Sequence, residues 1–83
     1  MSAIILFRSL TYAQRGVRIL GAGGVPANVV KAPAGISDKG CVYAAGVSER
    51  NLRQALHILS EQNASHGGVF LHDGKGNYMG AAK

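Results

Sequence analysis

The chain is short of cysteine, of proline and of acid. Its one cysteine among 83 residues cannot close an internal disulfide, and by itself it cannot supply a four-ligand zinc site. A thiol with no partner fits a reducing compartment. No long apolar stretch is present, and the run from Ala3 to Phe7 is too short for a membrane span or a signal-peptide core. Low-complexity tracts and blocks of like charge are missing too. What remains is globular in composition, 47% hydrophobic and 16% charged, and the expectation is a cytoplasmic single domain that folds without metal. A domain of this length buries only about 60% of the surface its unfolded chain exposes, which leaves little room for an extensive enzyme pocket.

Nine basic residues against four acidic ones give a formal net charge of +5 and a pI near 9.9. Such a balance raises the question of nucleic acid. The lysines and arginines are scattered from Arg8 to Lys83 with no two adjacent, the pattern of a solvated basic surface rather than a binding stripe.

Periodicity divides the chain into six elements. Ala3 to Phe7 reads as a strand buried on both faces. Ser9 or Thr11 can cap a helix whose Leu10, Ala13, Val17 and Leu20 fall at helical spacing, and the Gly21, Gly23, Gly24 cluster ends it. After Pro26, Ala27 to Lys31 reads as a second strand, Ala32 to Gly40 as a loop, and Cys41 to Val47 as a third strand. Ser48 suits the N-cap of a second helix, Glu49 its positive end, and Leu52, Ala55, Leu56 and Leu59 its apolar face, with Gln62, Asn63 and Gly67 letting it stop. Val69 to His72 is a fourth strand. The segment 73–83 is polar and rich in glycine and reads as a flexible tail, which leaves 1–72 as the folded domain.

The order βαββαβ matches an α+β, ferredoxin-like arrangement, two helices on one face of a four-stranded antiparallel sheet. In the strand order 4-1-3-2 the first and third strands are expected to lie parallel at the centre. On that expectation the loop before the third strand sits where both helices finish, away from any helix N-terminus.

Cys41 stands in Ser37-Asp38-Lys39-Gly40-Cys41-Val42-Tyr43-Ala44, where a glycine-containing loop gives way to an apolar run. Free cysteine is among the most buried residue types and often acts as a small core hydrophobe. Two neighbours point instead to an accessible thiol: Gly40 leaves open space and tolerates a positive φ, and Lys39 places a cation within a residue or two of the sulfur. An unperturbed thiol, of pKa about 8.5, is only about 3% thiolate at pH 7, so a nearby cation matters. Asp38 opposes it.

Other candidate features carry less. His57, His66 and His72 lack metal-ligand spacing. Gly21 to Gly24 follows a helix rather than opening one, so it is a helix stop and not a phosphate cradle. Ser9 with His66 or His72 forms no recognised hydrolase motif.

Phe7-x-Ser9, Ala13 and Leu20 in the first helix, the Gly24-Val25-Pro26 turn, Pro33 with Ile36-Ser37, and Gly40-Cys41-x-Tyr43-Ala44 before an acidic-capped leucine helix together resemble the selenium/sulfur (Se/S) carrier protein-like family of small bacterial and archaeal proteins. The resemblance covers roughly residues 3 to 72, and its most specific part is Pro33 to Ala44. It places the family's cysteine on Cys41, its preceding serine on Ser37 and its loop proline on Pro33. Many relatives have glycine after the cysteine, where this chain has Val42, with Gly40 on the other side. The resemblance implies a carrier rather than an enzyme. Cys41 would bind selenium or sulfur as a persulfide or selenenyl sulfide, supported by Gly40, Lys39 and Ser37. No metal or resident cofactor is implied beyond the transient adduct, and the partners would be donor and acceptor proteins.

Two rival classes share the topology. A ligand-sensing or oligomer-forming module of ferredoxin-like fold needs no thiol. An RNA-binding domain would carry aromatic and basic residues on its third strand, where Val42-Tyr43-Ala44-Ala45-Gly46 offers a single aromatic. Nucleic acid is therefore not expected as a partner. Single-stranded RNA should bind weakly, without sequence preference, and release by about physiological salt; submicromolar, sequence-selective binding in a salt titration would favour the RNA-binding class.

Overall fold

The structure is a computed structural model that describes residues 2–32, 43–74 and 78–80. Five strands and two helices are present among them. Strand β1 (Ser2–Phe7) leads into α1 (Leu10–Ala22), followed by β2 (Asn28–Lys31) and β3 (Tyr43–Ser48). A short 3-10 turn (Glu49–Asn51) precedes α2 (Leu52–Glu61), and β4 (Val69–His72) and β5 (Tyr78–Gly80) complete the sheet. The sheet is antiparallel throughout, in the order β2-β3-β1-β4-β5.

β1 is central because its sequence suits no other place. Ala3 to Phe7 are all buried, so the strand has no face for water and must be covered on both sides. Ala3, Ile5 and Phe7 turn toward the helices with Ala45, Val47 and Val69 from the neighbouring strands. Ile4 and Leu6 turn the other way, with Ala44 and the partly buried Val30, Phe70 and Tyr78. From above, α1 contributes Ala13 and Leu20 to the first cluster and α2 contributes Ala55 and Leu59.

Both helices stop by the same device. Gly24 has φ of +91°, the Val25 N–H donates to the Leu20 carbonyl at 2.8 Å, and Val25 is fully buried. In α2 the left-handed residue is Asn63, with φ of +55°, and the Ala64 N–H donates to the Leu59 carbonyl at 2.8 Å. Each is a Schellman-type end in which the residue after the turn returns an apolar side chain to the core. The start of α1 is capped by Ser9, whose hydroxyl accepts from the Tyr12 N–H at 3.3 Å.

Several expectations are corrected. The sheet has five strands, not four, because Tyr78–Gly80, within the segment expected to be an unordered tail, pairs with β4. β1 and β3 are antiparallel rather than parallel: Phe7 stands opposite Tyr43 and Ser2 opposite Ser48. The reason is the connectivity. α1 carries the chain back so that β2 runs in the direction of β1, and β3, antiparallel to β2, must then oppose both. Ser48 makes no side-chain capping bond, and a 3-10 turn separates it from α2. Leu10, expected on the apolar face, is 40% exposed at the start of α1. Gly67 does not end α2 but donates its N–H to the Leu6 carbonyl at 2.7 Å, extending the pairing beside β1. The third strand, expected from Cys41, is described from Tyr43; Cys41, Val42 and most of the preceding loop lie outside the described residues.

α1 approaches β1 so closely that a Cβ at Gly16 would stand 2.5 Å from Cζ of Phe7. Phe7 is 1% exposed, so its ring can yield only by disturbing its packed neighbours. Gly16→Ala should therefore destabilise the domain by about 1–3 kcal/mol through overpacking, which at about 4–8 °C per kcal/mol lowers Tm by several degrees. Gly21→Ala, in the same helix with no atom within 4 Å of the added carbon, should raise stability by about 0.5–1 kcal/mol. Thermal unfolding of both variants checks the contrast.

Candidate functional site

Cys41, Gly40, Lys39 and Ser37, the site residues expected from the sequence, lie outside the described residues, as does Pro33. What the structure describes is the frame on either side of their segment. β2 ends at Lys31 and β3 begins at Tyr43, and these two residues are register partners. Tyr43 follows Cys41 by two residues in the chain and stands opposite Phe7. The segment from Pro33 to Val42 thus connects two adjacent antiparallel strands at one identifiable end of the sheet.

That end also holds the beginning of α1 and the finish of α2. The expectation that both helices finish there depended on a parallel centre and fails with it. α1 has no acidic residue in its first turn and α2 no basic residue in its last, so neither helix end is offset by an oppositely charged side chain of its own. The positive end of α1 and the negative end of α2 meet at the same edge of the domain.

Around this end the side chains are mixed in character. Arg8 lies 5.9 Å from the ring centroid of Tyr12, within cation–π range, and Tyr12 is 41% exposed. His66 meets Phe7 edge-on at 6.5 Å between centroids, and its Nδ1 lies 2.7 Å from the Gly67 carbonyl. For that pair to be a hydrogen bond Nδ1 must carry the proton, which leaves Nε2 as the acceptor in a neutral ring. A hollow of about 390 Å³ opens between α1 and the turn after α2, lined by Tyr12, Arg15, Ile19, Asn63 and Ser65 and reaching Phe7.

The other candidates from the sequence are dispersed. His66 sits near Leu6 and Phe7, whereas His72 pairs with Ser2 at the opposite end of β1, about 13 Å along a strand at 3.3 Å per residue. His57 is exposed on α2. Among the described residues no group of three His, Cys, Asp or Glu could hold a metal ion. Ser9 is the α1 cap, and Gly24 supplies the left-handed turn that ends α1.

Two arrangements escaped the sequence reading. His72 and Tyr78 stack at 4.5 Å between centroids with an interplanar angle of 22°, a contact that exists only because β5 forms. Arg50, Arg53 and His57 line one groove with Leu52 and Leu56. Their three- and four-residue spacing is a helical stripe, a signal the sequence carries in its charged rather than its apolar positions.

The fold and the composition define a small α+β domain whose one cysteine lies in the connection between two neighbouring antiparallel strands. The family model described as Putative Se/S carrier protein-like matches residues 2–71, and the chain belongs to that family. No curated protein and no solved structure matches it. None of the helices described is long and apolar enough to cross a membrane.

If the domain needs no metal to fold, a chelator such as EDTA should leave the thermal unfolding midpoint unchanged. A fall in Tm that added zinc restores would put metal ligands on the chain.

Proposed function

We propose that the protein is a carrier of zero-valent sulfur or selenium in which Cys41 is the accepting atom, with Lys39, Gly40 and Ser37 supporting it. The observation that carries this reading is membership of the Se/S carrier-like family over residues 2–71 in a chain whose only sulfur nucleophile is Cys41. The finer chemistry follows from what one thiol can do.

In the loading step the Cys41 thiolate attacks the terminal sulfur of a donor persulfide, R–S–SH. The new bond is between Cys41 Sγ and that sulfur, the bond broken is the donor's own S–S bond, and R–S⁻ leaves with the electron pair. One zero-valent sulfur atom has moved, and no external oxidant or reductant is consumed. Selenium carried as R–S–SeH transfers in the same way, with selenium as the atom attacked. Unloading is the reverse reaction with an acceptor nucleophile from a second protein. With a single cysteine, the loaded domain cannot discharge itself by forming an internal disulfide, so the adduct persists until an acceptor arrives. That is the property a carrier needs and a catalyst of disulfide formation lacks.

The supporting residues act on the thiolate. A lysine within a residue or two favours the charged form, and a glycine next to the sulfur removes a side chain from the approach of the donor.

The reading is tested by incubating the protein with glutathione persulfide and measuring its intact mass. The expected result is the mass of one sulfur atom added per chain, lost on reduction and absent in Cys41→Ser, which should keep its thermal stability. Iodoacetamide should label native Cys41 near neutral pH, faster as pH rises because the thiolate is the nucleophile. Lys39→Ala should slow labelling by no more than about three- to fivefold, since an exposed charge is screened by water and salt. If Cys41 resists alkylation until the chain is denatured, the thiol is a core residue and the carrier reading is wrong.

A further inference from the structure

Two helices do not cover five strands. On the helix side of the sheet, α2 stops short of β4 and β5 and leaves a groove of about 1110 Å³. Leu71 and Gly80 form the strand side of this groove, and Leu52 and Leu56 form part of the helix side. Met79, the register partner of Leu71, is 48% exposed. Along α2 and its preceding turn, Arg50, Arg53 and His57 line the groove. Arg50 and Arg53 are both exposed. Among the described lining residues Glu49 is the one acidic side chain.

We propose that this groove docks an acidic, leucine-bearing segment of a partner protein, its apolar side chains against Leu52, Leu56 and Leu71 and its carboxylates on Arg50 and Arg53.

Charge and size select the occupant. Leucine side chains beside two exposed arginines form a surface complementary to a segment that is apolar on one side and acidic on its flanks. Arginine presents a planar fork of donors matched to a carboxylate, so each carries geometric preference as well as charge. The groove is larger than the 300–1,000 Å³ or so of ordinary small-molecule sites, and far larger than a selenium or sulfur oxyanion would fill. Nucleic acid fits it less well: among the described lining residues the rings are the two imidazoles of His57 and His66, with no Phe, Tyr or Trp, and broad aromatic stacking is the usual source of affinity for single strands. The described lining of the groove comes from the turn before α2, from α2, from His66 and from β4 and β5, and peptide binding at those positions is read separately from sulfur transfer at Cys41.

The test titrates the full-length, ¹⁵N-labelled protein with a synthetic peptide that has leucine at helical spacing flanked by glutamates. Controls are the same peptide with lysine in place of glutamate, and oligouridylate. The glutamate peptide should shift the amide signals of Arg50, Arg53, Leu71 and Met79, and the lysine peptide should not. Arg50→Glu combined with Arg53→Glu should weaken binding by about tenfold or more, as reversal of two charges at a docking surface does. Met79→Asp should weaken it as well, through the apolar side. All three positions are exposed, so the variants should fold, and their thermal unfolding verifies that they do. Cys41→Ser should bind the peptide as the wild-type chain does whether or not the carrier reading holds. Equal binding of the lysine peptide, shifts confined to the helix-free face of the sheet, or tighter binding of oligouridylate in the groove would each overturn the proposal.

Discussion

The ring of Phe7 fills the space that a side chain at position 16 would occupy, and the domain is organised around that contact. Because Gly16 has no Cβ, α1 settles onto β1 with the ring directly beneath it. The same ring meets His66 edge-on in the connection after α2, and Phe7 stands opposite Tyr43 at the entry to β3. One residue therefore ties together the first helix, the turn after the second and the strand that receives the segment bearing Cys41. A close-packed interior transmits displacement rather than absorbing it. The position of Tyr43, and with it the anchor of the cysteine segment, depends on how α1 lies.

From that junction the sheet spreads in both directions with declining cover. The central strand is buried on both faces; β3 and β4 are covered mainly where they flank it; β5 is more open, with Met79 half exposed on the helix side. The segment that bears Cys41 in the sequence joins β3 at Tyr43, opposite Phe7 at a well-packed end of β1. The basic groove lies where the helices run out, the place where a small domain has apolar surface left to offer a partner.

Much of this was legible in the residues. Five consecutive apolar positions from Ala3 could only be a strand buried on two sides, and the leucine spacing in 52–59 could only be a helix face. The errors have physical causes. The helical pattern ran on through Leu10, but the first turn of a helix projects beyond the sheet and leaves its side chain in water. Ser48 has the chemistry of a cap, yet the chain tightens into a 3-10 turn before α2 begins. β5 was missed because Tyr78-Met79-Gly80 is too short for any period to register. Asp73-Gly74 was the available signal, since Asp-Gly after an apolar strand favours a reversal, and Gly74 does have φ of +82°. The strand directions were derivable from connectivity alone. The role expected of Cys41 rests on its being the one thiol in the chain and on family membership, and the residue itself lies outside the described residues.

The central position of β1 has a consequence for how the chain is made. Ser2 pairs with Ser48 on one side and with His72 on the other, so the strand with the greatest need for partners leaves the ribosome before either of them exists. Until the last quarter of the domain has been synthesised, Ile4-Ile5-Leu6-Phe7 has one edge without a neighbour, and such a segment readily pairs with strands of other chains. Contacts this distant in sequence also slow closure. A nascent chain that stalls between β3 and β4 thus leaves this edge open, and the speed with which β4 arrives sets how long it stays so.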